Sequence, residues 1–243
     1  MTQGHEGLTV GLTRRSFVHR RLVALGARFA EINGGLLPLQ YGDADETAAA
    51  ARLGLAELSL LPRTGFKGAK VIPALEAQGV ELSVPNQAVR QAGGGLVAVL
   101  AMTEVLILAP PSGDGARIRT LERCWSLDRA DGCYLAPRQD SHFWFALTGE
   151  QASAALAKVC GVDLRLARFA DLSVAQTSVA GSSCIVIRAD LGALPAFHLL
   201  GDSASAAYLW DCLLDAMAEF NGQPVGLAVL QRAAASKLPA API

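Results

Sequence analysis

The sequence predicts an α+β fold built by duplication, on two observations. Residues 68–82 can be laid over residues 149–164: Gly149 follows Gly68, and Leu156 follows Leu75, by 81 residues, and one insertion places Leu164 82 residues after Leu82. Each copy also has the same order: an apolar run (58–66, then 142–147), a glycine, a helical pattern of about ten residues, a second glycine and an exit through Val-acid-Leu. A strand, a glycine turn, a helix, a glycine C-cap and a second strand produce that order. Two copies are too few for a solenoid, so the halves are expected to pack on each other.

Along the chain, residues 1–13 are polar and Gly-rich and read as a flexible or partner-bound arm. A single domain is expected over 14–230, with pseudo-repeats at 14–126 and 127–230, followed by a flexible tail or strap over 231–243. Ser16 caps a helix running to Leu25 and ended by Gly26, and Gly34-Gly35 and Pro38 break the next segment. Asp43 or Asp45 opens a helix through Ala51, where a carboxylate accepts the free amides of the first turn. Residues 55–66 hold two short strands around Pro62. Gly93-Gly94-Gly95 is a turn, 96–108 reads as two strands hinged at Thr103-Glu104, and 116–126 as a helix. In the second half, 174–179 and 184–189 form a hairpin, 196–200 is a strand, and Asp202 or Ser203 opens a helix over 205–220. That helix carries apolar residues at three- and four-residue steps and ends at Asn221-Gly222.

At 243 residues, 51% hydrophobic and 18% charged, the chain buries a substantial core. Mean hydropathy of +0.33 reflects either an Ala- and Leu-rich composition or an apolar surface buried against a partner subunit. The longest apolar run, 96–111, is broken by Glu104 and ended by Pro110-Pro111, so no membrane span is expected. A net charge of −1 with scattered Lys and Arg gives no footprint for nucleic acid. With no secretory signal and an odd five cysteines at no metal-ligand spacing, a cytoplasmic protein with reduced thiols is expected, with no metal.

Few residues advertise chemistry. Four histidines are a thin supply for acid–base work; His142 and His198 fall in strand-like apolar surroundings, as structural histidines or as members of an interface or site. No nucleophile elbow, zinc helix, phosphate loop or dinucleotide fingerprint is present. Phe143-Trp144-Phe145 demand cover on both faces of a strand, so either this is a central strand between helices or Trp144 is a partner-facing anchor. Arg63 and Lys67 read as solvent charges or anion contacts, and with Trp144 they are the partner-interface candidates. Tyr41 and Glu104 are the candidates for a residual ligand pocket.

Gly26-Ala27-Arg28-Phe29, Leu37-Pro38-Leu39-Gln40-Tyr41-Gly42, Gly54-Leu55-Ala56-Glu57-Leu58-Ser59 and Gly65-Phe66-Lys67-Gly68 resemble the opening of the glycine cleavage system T protein, a folate-dependent aminomethyltransferase. Later stretches resemble the gamma subunit of heterotetrameric sarcosine oxidase more closely: Leu82-Ser83-Val84-Pro85-Asn86, residues 103–108, Leu147-Thr148-Gly149, residues 156–164, Ala175-Gln176-Thr177, and Pro195-Ala196-Phe197-His198-Leu199-Leu200 followed by Ala207-Tyr208-Leu209-Trp210. Together they cover residues 25–220.

The resemblance implies duplicated ferredoxin-like units forming the T protein's folate-binding-domain fold. It also implies a non-catalytic, structural gamma-type subunit of a flavoenzyme complex that oxidises an N-methyl amine. In that family the alpha and beta chains carry FAD, FMN, NAD and the tetrahydrofolate site, a delta chain completes the heterotetramer, and the gamma chain packs on the large alpha subunit. The T protein's catalytic aspartate follows a turn of the form Gly-Gly-x-x-Asp-Asp, whereas this chain has Gly94-Gly95-Leu96-Val97-Ala98-Val99. The resemblance also ends before that protein's C-terminal barrel. The alternative expectation is a stand-alone folate-binding, aminomethyltransferase-like protein using Tyr41 and Glu104.

Overall fold

The computed structural model describes residues 13–43 and 45–236. β1 (Arg14–Arg15), α1 (His19–Ala24), β2 (Ala27–Ile32) and β3 (Gly35–Tyr41) make a small sheet of order β1-β3-β2 with one helix. Asn33-Gly34, both at positive φ (52° and 73°), close the β2–β3 hairpin. Pro38 does not break β3. It pairs with Phe29 at the register shift between Arg28 and Phe29, where the ladder is interrupted and a missing N–H is tolerated. α2 (Thr47–Leu53) begins later than expected, with Asp45 Oδ1 accepting from the Thr47 amide at 3.2 Å, and leads into β4 (Gly54–Glu57).

The repeated unit then appears twice. The first copy is β5 (Arg63–Lys67), α3 (Val71–Glu76), β6 (Gln87–Arg90), β7 (Leu96–Ala101), β8 (Glu104–Leu108), α4 (Ala116–Cys124) and β9 (Tyr134–Leu135). The second is β10 (His142–Thr148), α5 (Ala152–Ala157), β11 (Val174–Val179), β12 (Ser182–Arg188), β13 (Ala196–Asp202), α6 (Ala206–Ala218) and β14 (Gln223–Pro224). Their sheets run β6-β7-β8-β5-β9 and β11-β12-β13-β10-β4-β14, the same order with β4 inserted beside β10. The copies therefore open at Arg63 and His142, and the segment from Arg14 to Glu57 lies before the first.

Gly68 and Gly149 occupy the same corner, after β5 and after β10, at φ 134° and 100°. A Cβ on Gly68 would lie 2.2 Å from the Gly132 carbonyl oxygen, and one on Gly149 would lie 2.5 Å from that of Arg52, so only glycine fits either corner. The Val-acid-Leu exits are not strands. Gln91 takes over the backbone of Glu81, accepting from its N–H at 3.1 Å and donating to its carbonyl at 2.8 Å, and Asp163 folds onto Arg165; β6 and β11 begin only later.

The equivalent edge strands β6 and β11 meet. Val174 N donates to Asn86 O at 2.9 Å and Ala88 N to Leu172 O at 2.7 Å, which joins the sheets edge to edge. Alternation of side chains then sorts the core into layers. Phe143, Phe145 and Leu147 pack under α1, α5 and α6; Val97, Val99, Val105 and Ile107 pack under α3 and α4. Trp144, Ala146, Ala98, Leu100, Leu106 and Leu108 fill the space between the sheets. β10 is thus central, covered by helices on one face and by the other sheet on the opposite face. α7 (Leu227–Ala235) closes the described chain, so residues 231–235, expected as tail, continue a helix anchored by buried Leu227, Val229 and Leu230. The expected arm falls outside the described residues up to residue 12, as does the tail beyond residue 236. Among the described residues no helix is long and apolar enough to cross a membrane.

Candidate functional site

A buried polar cluster lies where β4 hands over to β5. Glu57 is fully buried; its Oε1 accepts from the Ser59 amide at 2.9 Å, and the Ser59 and Ser16 hydroxyls add further bonds. Ser59 Oγ in turn accepts from the Trp144 amide at 2.9 Å. Arg63, 1% exposed, spreads its guanidinium over four carbonyls: Ser59 (2.6 Å), Leu61 (3.3 Å), Gln139 (2.8 Å) and His142. Burial lowers its pKa to about 10 against the opposing pull of Glu57, so it stays cationic at neutral pH. Burial raises the Glu57 pKa, with Ser59 and Arg63 acting in the opposite direction. Tyr41 Oη, Glu57 Oε2, Arg63 Nε and Thr64 Oγ1 lie buried with no hydrogen-bond partner among the described residues.

Two of the three interface candidates are corrected by these contacts. Arg63 is an internal clamp, because its four acceptors come from the β4–β5 connection and the approach to β10. Trp144 is buried, and its indole N–H donates to His198 Nδ1 at 3.0 Å, so it cannot anchor a partner. Lys67 is exposed and paired with Glu104 at 3.1 Å.

The two pocket candidates are not brought together. Tyr41 lies beside Glu46 and Glu57: its amide donates to Glu46 Oε1 at 2.6 Å, and burial first, then the two carboxylates, raise its hydroxyl pKa. Glu104 is held by Lys67 and by the guanidinium of Arg138. Arg138 Nη1 also lies 3.3 Å from His142 Nε2, and Ser141 Oγ lies 2.9 Å from His142 Nδ1. Burial, reinforced by Arg138 and Arg63, lowers the His142 pKa to about 4, leaving a neutral ring whose acceptor nitrogen is occupied.

His142 borders an open groove of about 530 Å³ with Gln176, Ser178, Ser183, Cys184 and Asp202. Burial pushes the Cys184 thiol up to about 12, so this thiol is no ready nucleophile. A second cavity of about 360 Å³, between α2 and α7, is lined by Ala50, Leu194, Pro195, Val229, Arg232 and other residues. Neither cavity is lined by Tyr41 or Glu104.

Against known proteins, the family model described as the GCVT N-terminal domain matches residues 18–236. This chain belongs to that family. The aminomethyltransferase of Parafrankia sp. (strain EAN1pec) is 27% identical over 233 residues, covering 90% of this chain and 62% of the relative. Among solved structures, the glycine cleavage system aminomethyltransferase T from Bartonella henselae is similar at a TM-score of 0.71 and 18% identity, over 91% of this chain and 62% of that one. A chain of the heterotetrameric sarcosine oxidase from Corynebacterium sp. U-96, in complex with pyrrole 2-carboxylate, is similar at a TM-score of 0.63 and 20% identity, over 85% of this chain and 96% of that one. The chain spans 62% of the length of the aminomethyltransferases it matches. The α+β fold is that of the GCVT N-terminal domain.

In this GCVT N-terminal domain the turn at Gly93-Gly94 leads through Gly95 into β7, where Leu96 through Leu100 are all buried and apolar. The strand that the T-protein resemblance would furnish with a carboxylate carries none. Sequence reasoning passed over Glu57, Ser59, Arg138 and Gln139 as site residues. Glu57 had a signal, a carboxylate inside the apolar strand Leu55-Ala56-Glu57-Leu58, which implies a buried acid with partners. Arg138 and Gln139 had none, since Glu104, to which Arg138 binds, and Ser59 and Arg63, to which Gln139 binds, lie far along the chain.

Proposed function

We propose that this chain is the non-catalytic, gamma-type structural subunit of a heteromeric sarcosine-oxidase-like flavoenzyme that oxidises an N-methyl amine. The observation that carries the reading is β7: after the Gly93-Gly94 turn, Leu96 through Leu100 are all buried and apolar where the T-protein resemblance would place a carboxylate. The pairing of Glu104 with Lys67 and Arg138, the closed Glu57–Arg63 clamp and the fold likeness to a sarcosine oxidase chain support a scaffold role. In this reading an alpha-type large chain, with beta and delta chains, carries FAD, FMN, NAD and tetrahydrofolate, and the assembly is cytoplasmic.

Co-expression with the alpha-type chain of the same genome tests it. The expected result is a complex that co-elutes on size exclusion, while the isolated chain gives no heat with millimolar tetrahydrofolate. A monodisperse monomer that ignores the alpha-type chain overturns the reading. Tetrahydrofolate binding by the isolated chain would favour an aminomethyltransferase-like protein instead.

A further inference from the structure

The geometry points to the outer face of α1 as the docking surface for that partner, and to an apolar surface rimmed by carboxylates as what it meets; this rests on the gamma-type reading above. Large exposed apolar side chains concentrate here: Phe17 (41% exposed), Val23 (54%) and Leu25 (42%) on and around α1, with Tyr208 (55%) on α6. Of the others, Val84, Met102, Leu127 and Tyr134 lie on the first repeated unit and its connections, and Leu166 lies between α5 and β11.

α1 is two-faced. Val18 and Leu22 are buried in the cluster that includes Leu209 and Leu213 of α6, whereas Phe17, Arg20, Val23 and Ala24 step by three and four residues along the opposite side. Arg21 grips Asp211 through two bonds of 2.8 and 2.7 Å, tying α1 to α6. Tyr208 lies three residues before Asp211, nearly one helical turn, and so on the same side of α6.

The rim of this patch is cationic. Arg15 and Arg20 are exposed and make no ion pair among the described residues, α1 itself carries no acid, and Asp140 and Asp211 are taken by Arg14 and Arg21, which leaves Asp215, one turn past Asp211, as the exposed carboxylate on the α6 side. An apolar centre with an unpaired basic rim fits a partner with apolar side chains at its centre and Asp or Glu around them. Interfaces are built this way, with affinity in the centre and steering at the rim.

Binding of the purified full-length chain to the alpha-type chain tests the surface. Val23→Glu with Leu25→Glu is expected to weaken binding by about tenfold or more. Arg15→Glu with Arg20→Glu is expected to weaken it and to abolish its sensitivity to added salt. Met102→Glu with Leu127→Glu, away from α1, is expected to bind within about twofold of the parent. Melting curves of each variant alone confirm that it is folded. If the parent binds and both α1 variants bind equally well, the docking face lies elsewhere and the gamma-type reading stands. If the parent does not bind the alpha-type chain, both fall. Self-association of the parent that Val23→Glu with Leu25→Glu removes, with binding to the alpha-type chain unchanged, assigns the face to a second copy and overturns the inference.

Discussion

Trp144 and His198 form a sealed pair: the indole N–H donates to His198 Nδ1 at 3.0 Å, the ring centroids stand 5.7 Å apart, and both side chains are buried. A further bond joins the imidazole to the Ala189 backbone. A second ring proton would have to displace the indole N–H from Nδ1. Burial above all lowers the His198 pKa from 6.5 to about 4.

Stability should therefore fall with acidification over a defined window. Between pH 6.5 and 4 the unfolded chain has taken up a proton at this position and the folded chain has not, so protonation favours unfolding as the pH drops; below 4 the folded state also binds it and the loss levels off. The full effect is on the order of 3 kcal/mol. His142, also lowered to about 4, acts in the same direction. Urea unfolding at a series of pH values reads this, and His198→Gln should flatten the curve. An unchanged slope in that variant would assign the dependence to other groups.

The Arg63 clamp predicts a strong asymmetry between substitutions. Arg63→Ala leaves four carbonyls without their donor and Glu57 without its buried cation, at a cost of about 3–5 kcal/mol. Arg63→Lys keeps the charge but loses the planar fork and should fall between parent and alanine variant. In the alanine background, Glu57→Gln should recover part of the loss, because the uncompensated charge is gone. Chemical denaturation of the set checks the order; additive effects in the double variant would refute the coupling.

The duplication, the need to cover both faces of β10 and most helices were legible in the sequence because each rests on local pattern, though one cover of β10 is the other sheet and not a helix. A glycine pinned at a corner, a run of three aromatics and a 3.6-residue period are visible within a dozen residues. Asn33-Gly34 was equally legible as a hairpin turn, yet the glycines and Pro38 read as breaks. What stayed hidden depends on side-chain partners that no periodicity marks: Gln91 relieves Glu81 of any need for a ladder, and Arg63 finds Gln139 and His142 76 and 79 residues onward. The candidate site was less legible than the fold for that reason. Tyr41 and Glu104 were plausible as isolated residues, and only packing shows that each is committed to different neighbours.

The two corner glycines predict matched losses. Gly68→Ala and Gly149→Ala each force a side chain into positive φ and into a backbone carbonyl that cannot swing aside, at 2.2 and 2.5 Å. Each should cost more than about 2 kcal/mol. Gly161→Ala is the control, since its Cβ meets nothing within 4 Å and its φ is not in the left-handed region. A thermal melt of the three variants reads the contrast. Equal melting temperatures would show that the corners relax.

Thiol chemistry separates the cysteines by depth. Cys124 is exposed, Cys212 half-buried with a hydrogen bond to Tyr208, and Cys133, Cys160 and Cys184 are buried. Because the thiolate is the reacting species, a thiol that is shielded and held protonated reacts slowly on both counts; burial raises Cys133 and takes Cys184 to about 12. Iodoacetamide on the native chain, followed by peptide mass mapping, should label Cys124 first and Cys212 more slowly, with the other three modified only after denaturant is added. Early labelling of Cys184 would mean that the groove beside His142 opens in solution far enough to strip β12 of its cover, which its pairing with both β11 and β13 opposes.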